Sequence, residues 1–179
     1  MRIIGGSLRG RVIPPADLLA RPTTDFAKEG LFNMLANEYH FESLQVLDLF
    51  GGSGSISFEF ASRGCVDVTC VEMNLQNATF IKKVAAQLHL DAIRVVRHNV
   101  FDFLNLCTQT YDIIFADPPY ELQGIVNLPI KIFERELLAP NGMFILEHSG
   151  ALGFSKADRF VKVKRYGNVH FSFFRHPTP

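Results

Sequence analysis

A chain of 179 residues, 47% hydrophobic and 20% charged, has apolar material for one substantial core and falls within the size of a single domain. It begins without the apolar stretch of a signal peptide, and no run approaches the roughly 20 apolar residues that span a bilayer, so a cytoplasmic protein without a membrane partner is expected. The formal net charge is zero, yet the charges are segregated. Before Asp17 the ionisable side chains are Arg2, Arg9 and Arg11, and near the other end Lys156, Arg159, Lys162, Lys164, Arg165 and Arg175 face only Asp158. Two basic ends can create local positive fields suited to phosphate without raising the overall pI.

In chain order, 2–13 holds Gly5-Gly6 and Gly10 between short apolar pairs and reads as a small hairpin carrying its arginines outward. Residues 1–22 are thus read as a basic extension, and 23–179 as the core of one domain. Arg21-Pro22-Thr23-Thr24-Asp25 leads into a helix over 25–38, with Thr24 or Asp25 as N-cap. From 44 onward, short apolar runs at 44–50, 66–71, 93–97, 111–116 and 142–147 alternate with helical patterns near 54–63, 74–89 and 123–138. That is the α/β signature, and near-continuous apolar runs suit parallel strands covered on both faces. After 150 the pattern alternates over 159–164 and 169–174 around Arg165-Tyr166-Gly167-Asn168, an antiparallel hairpin closing the sheet. The odd number of cysteines, Cys65, Cys70 and Cys107, reads as buried free thiols, and no metal site is evident.

The first parallel strand runs through Asp48 and Phe50 into Gly51-Gly52-Ser53-Gly54, at the strand end where open α/β sheets bind ligands. Glycines let backbone approach a ligand closely, but this loop lacks both the spaced dinucleotide fingerprint and the Lys-Ser/Thr of a phosphate loop. The next strand ends in Glu72-Met73, placing a carboxylate where it can accept hydrogen bonds from ribose hydroxyls. After the third strand, Asn99 is either an adenine ligand, with Val100 packing on the ring, or a helix cap.

The fourth strand ends in Asp117-Pro118-Pro119-Tyr120, the most specific signal in the chain. An exocyclic amine on a base is a poor nucleophile, because its lone pair is delocalised into the ring and its two hydrogens need acceptors before it pyramidalises. Asp117 and the Pro118 carbonyl can supply them, and Tyr120 offers a face for a flipped-out base. His148 has no evident place in this chemistry.

Together with Arg2-Ile3-Ile4-Gly5-Gly6, Arg9-Gly10-Arg11, Arg21-Pro22-Thr23, Leu31-Phe32-Asn33 and Ser62-Arg63-Gly64, these motifs make the chain resemble the RsmD family, bacterial 16S ribosomal RNA guanine-N2 methyltransferases. The resemblance implies a class I, Rossmann-like fold with a seven-stranded, mostly parallel sheet and a C-terminal antiparallel hairpin. It implies S-adenosylmethionine as donor, S-adenosylhomocysteine as product, and guanine in 16S rRNA or the 30S subunit as acceptor. Carried over, Asp48, Phe50, Gly51, Gly52, Ser53, Gly54, Glu72, Met73, Asn99, Val100 and Asp117 hold the cofactor. Asp117, Pro118 and Tyr120 act on the guanine, and Arg2, Arg9, Arg11, Arg21, Thr23, Pro119 and Tyr120 meet RNA. Three departures stand out: Gly51 where the family has alanine, read as added flexibility; Asn99 where it has aspartate; and a less basic stretch at 26–30, read as a change in the RNA surface. A methyltransferase acting on another amine, either adenine in DNA or RNA or a protein glutamine, a nucleotide-dependent oxidoreductase and a non-catalytic RNA-binding assembly factor are the rival readings.

Overall fold

The computed structural model describes residues 1–14 and 23–177. Arg21 lies outside the described residues. Seven strands form one sheet in the order β3-β2-β1-β4-β5-β7-β6, and β7 alone runs opposite to the other six. They are β1 (Gln45–Leu49), β2 (Asp67–Val71), β3 (Ile93–Val96), β4 (Tyr111–Ala116), β5 (Leu138–His148), β6 (Phe160–Tyr166) and β7 (Val169–Phe174). The strand order reverses between β1 and β4, and the carboxyl ends of that pair open the crevice such sheets use for ligands.

Side chains alternate across the sheet, so Val46, Ile113, Phe115 and Ile145 pack on one face with α1 (Asp25–Ala36) and α2 (Ser55–Ser62). Leu47, Ile114, Phe144 and Leu146 pack on the other with α4 (Val100–Leu106) and α5 (Leu128–Glu134). A third cluster joins Ile3 and Ile13 of the N-terminal segment to Phe58 of α2 and Ile81 of α3 (Leu75–Gln87). Thr24 caps α1, its hydroxyl accepting from the Ala27 amide at 3.2 Å.

Several local expectations need correction. The helix expected over 123–138 is a 3-10 turn at Ile125–Asn127 followed by α5, and the chain leaves it early because Glu136 adopts a left-handed φ of 52°. The strand expected at 142–147 starts earlier, with Leu138 beside Tyr111 and a register shift before Met143 pairs Ile113. Helix α4 follows from the cap reading of Asn99, although the apolar pattern marks no helical range there. The C-terminal hairpin turns more tightly than expected, on Gly167-Asn168, with Tyr166 paired to Val169. The N-terminal segment is hairpin-like but holds one bridge, Arg2 to Val12, around a 3-10 turn at Gly6–Leu8. Cys65 and Cys70 are buried free thiols, whereas Cys107 is only half-buried.

Candidate active site

Strand β1 delivers Asp48 to the crevice, where Ser57 of α2 donates to its carboxylate at 2.6 Å. Burial pushes the Asp48 carboxyl up to about 7 against that hydrogen bond. The chain then turns sharply: Phe50 takes a left-handed φ of 62°, Gly54 takes one of 80°, and the Gly54 amide donates to the Gly51 carbonyl at 2.7 Å. A non-glycine residue in that region stores strain, typically about 1–3 kcal/mol, which is common where a loop is shaped around a ligand. A Cβ at Gly51 would run into Cys70 Sγ. Gly51 therefore answers the bulk of Cys70 on the neighbouring strand, which corrects its reading as added flexibility.

Glu72, at the end of β2, accepts from the Gly52 amide and the Asn74 amide, each at 2.7 Å. Loop and carboxylate are thereby one unit, and each oxygen keeps a lone pair for a further donor. Asn99 is the N-cap of α4, accepting from the Phe101 and Asp102 amides at 2.9 and 3.2 Å, so the cap reading holds. Its side-chain amide also lies 3.9 Å from Met73 Sδ, while Met73 is exposed and Val100 is buried in the core.

Thr23, Asp48, Phe50, Gly51, Gly52, Ser53 and Asp117 line one crevice, floored by Ile56 and Phe115. Burial first, then the neighbouring carboxylates of Glu147 and Asp48, hold the Asp117 carboxyl well above the ordinary range. Pro118 is buried, Pro119 is exposed and its carbonyl accepts from the Leu122 amide at 2.9 Å, and Tyr120 is 60% exposed at the rim. Among the described residues no three His, Cys, Asp or Glu side chains converge as metal ligands.

Two residues here were not foreseen. Glu147 is only 4% exposed, accepts from the Thr23 hydroxyl at 2.7 Å, and is itself pushed up to about 7 by burial. Ser57 orients Asp48. The signal for Glu147 was a carboxylate at the end of an apolar parallel strand, the pattern already noted at Glu72 and Asp117. His148, one residue on, is tied to the Ser149 carbonyl and the Ser172 hydroxyl, each at 2.8 Å, and belongs to the packing.

The basic surfaces are only partly as expected. Arg9 and Arg11 are exposed, but exposed Arg2 pairs with Asp25 at 3.2 Å. At the other end, Glu38, just past the end of α1, takes both Lys162 and Arg175, so Asp158 is not their sole counter-charge. Lys28, in the stretch read as an altered RNA surface, is 1% exposed and belongs to an internal cluster. The cation there is structural.

The strand order, the glycine turn after β1 and the acidic proline motif after β4 define the class I, Rossmann-like methyltransferase fold. The solved structure of yhhF from Escherichia coli, which bears a methyltransferase name, covers 99% of this chain and 99% of its own, with 30% identity and a TM-score of 0.85. A family model described as conserved hypothetical protein 95 matches residues 1–175. The ribosomal RNA small subunit methyltransferase D of Escherichia coli K12 is 38% identical over 75% of this chain and 67% of its own. The enzyme of that name from Buchnera aphidicola of Baizongia pistaciae is 28% identical over 97% of this chain and 91% of its own. The chain belongs to the ribosomal RNA small subunit methyltransferase D (RsmD) family.

Proposed function

We propose that this protein transfers a methyl group from S-adenosylmethionine to the exocyclic N2 amine of a guanine in 16S rRNA, presented in the 30S subunit. The observation that carries the reading is that Asp117, the first residue of Asp117-Pro118-Pro119-Tyr120, lines the crevice formed by the glycine turn after β1. The crevice fits such a donor: a tight glycine turn tied through the Gly52 amide to Glu72, whose carboxylate keeps lone pairs for ribose hydroxyls, and acidic groups that complement a cation. When bound, S-adenosylmethionine supplies an activated methyl on a positively charged sulfur and leaves as S-adenosylhomocysteine.

The protein's own part is positioning and charge. Asp117 and the Pro118 carbonyl accept the two amine hydrogens, so the nitrogen lone pair turns out of the ring plane toward the methyl. Tyr120, exposed at the rim, gives the base a face to stack on, worth about 1–3 kcal/mol by the usual substitution measure. As positive charge grows on the amine, the Asp117 carboxylate stabilises it and then takes the departing proton. Arg9 and Arg11 meet phosphate, and the site of action is the cytoplasm, where ribosomal subunits are assembled.

Methyl transfer from radiolabelled S-adenosylmethionine to 30S particles, naked 16S rRNA and duplex DNA, followed by nucleoside analysis, tests this. Labelled N2-methylguanosine is expected from ribosomal substrate; labelled N6-methyladenine in its place would overturn the reading.

A further inference from the structure

The last pair of β4 and β5, Ala116 beside Leu146, sets Asp117 next to Glu147 on the same face of the sheet. Only one of the two reaches the crevice wall: Asp117 lines it, whereas Glu147 lies behind, with Thr23 lining the wall in front of it. The Thr23 hydroxyl gives its single proton to Glu147 at 2.7 Å. A hydroxyl whose proton is committed has only lone pairs left to offer. Toward the crevice, Thr23 is therefore an acceptor and not a donor.

The bases differ at the atom next to the amine. Guanine carries a hydrogen on ring N1 beside its N2 amine, two donors side by side. Adenine, and any purine whose N1 is unprotonated, carries a lone pair there. A wall that presents acceptors at Asp117 and at Thr23 matches the first and opposes the second. Turning the Thr23 hydroxyl round to donate would break a charge-assisted hydrogen bond to a buried carboxylate, which is the stronger kind.

The geometry points to the Thr23–Glu147 pair as the guanine-reading element of the site: Thr23 accepts the ring N1 hydrogen, and Glu147 is the positioning residue that fixes Thr23 as an acceptor. This rests on the guanine-N2 reading above and gives it a structural basis for base choice. A second carboxylate held beside Asp117 in a buried wall is costly to maintain, which a merely packed side chain would avoid.

The test uses 30S particles reconstituted with guanine, or with 2-aminopurine, at the methylated position. 2-Aminopurine keeps the N2 amine and has no N1 hydrogen. The native enzyme, Thr23→Val, Thr23→Ser and Glu147→Gln are compared by kcat/KM for each acceptor and by Kd for S-adenosylmethionine. The guanine over 2-aminopurine ratio is expected to fall about tenfold in Thr23→Val, and to fall in Glu147→Gln, whose amide can donate to Thr23 and free its proton. Thr23→Ser should keep the ratio, and cofactor Kd should stay within a few-fold throughout. An unchanged ratio in cofactor-binding Thr23→Val or Glu147→Gln would overturn the inference while leaving the methyltransferase reading intact. If the native enzyme makes no N2-methylguanosine, the underlying reading fails and takes this one with it.

Discussion

Two regions of this molecule bury carboxylates, and they do so in opposite ways. Glu59 of α2, fully buried, accepts from the Ile4 and Gly5 amides at 2.9 and 2.8 Å, from Arg63 at 2.9 Å, and faces buried Lys28 at 3.5 Å. Lys28 in turn donates to the Arg2 carbonyl at 2.6 Å and the Ser55 hydroxyl at 3.0 Å, and the Arg63 guanidinium stacks 4.8 Å from the Phe32 ring centroid. Every part of that charge is answered, and its effect is to pin the basic N-terminal segment onto the helix that starts at the cofactor loop. At the crevice, Asp48 and Asp117 line the wall and Glu147 lies behind it, with hydroxyl partners at Asp48 and Glu147 and no cation paired with them among the described residues. Buried charge that is fully paired builds structure. Buried charge left under-paired is held ready for something else, a substrate amine or a cationic donor.

The contrast can be broken by removing one carboxylate from each region. Glu59→Ala leaves Lys28 and Arg63 uncompensated and is expected to cost about 3–5 kcal/mol in urea unfolding, with loss of the docked N-terminal segment. Asp117→Ala is expected to lower kcat at least about 100-fold in the methyl-transfer assay, with cofactor Kd within a few-fold and no loss of unfolding free energy. Equal loss of cofactor binding in Asp117→Ala, or a Glu59→Ala protein as stable as the native one, would erase the distinction.

Two smaller effects sharpen it. Gly51→Ala forces a methyl against Cys70 and should cost about 1–3 kcal/mol by thermal unfolding, largely recovered in the double variant with Cys70→Ala. Burial raises the Asp48 carboxyl from its ordinary 3.8 to about 7, so the folded state binds the proton more tightly than the unfolded one. That contribution to stability is fully present below about pH 4 and is lost as pH rises through about 7. Asp48→Asn should therefore gain stability relative to the native protein between those limits, read as a pH-dependent difference in urea midpoint; a constant difference would place the titration elsewhere. On the hairpin side, replacing Arg9 and Arg11 with alanine should reduce the slope of log K for RNA against log salt by about 2, as loss of two phosphate contacts requires.

How much of this was legible depended on the range of the interaction. Local chemistry was: the Thr24 cap, the glycine turn before α2, the α/β alternation and the acidic proline motif each declare themselves within a few residues. Boundaries were less so, because α5 ends on the left-handed Glu136 and β5 begins at Leu138 through pairing with Tyr111, neither of which periodicity encodes. The stretch 26–30 misled for a similar reason, since its lysine points inward to a glutamate on another helix.

By itself, then, the sequence determined the class of fold, the cofactor loop and the reaction motif, because strand periodicity, turn chemistry and the donors and acceptors of one tetrapeptide are local properties. Only the tertiary structure decided which charges are answered and which are not. Thr23 meets Glu147 across 124 positions and Gly5 meets Glu59 across 54, and the energy of a buried charge depends on such distant partners rather than on its neighbours in the chain.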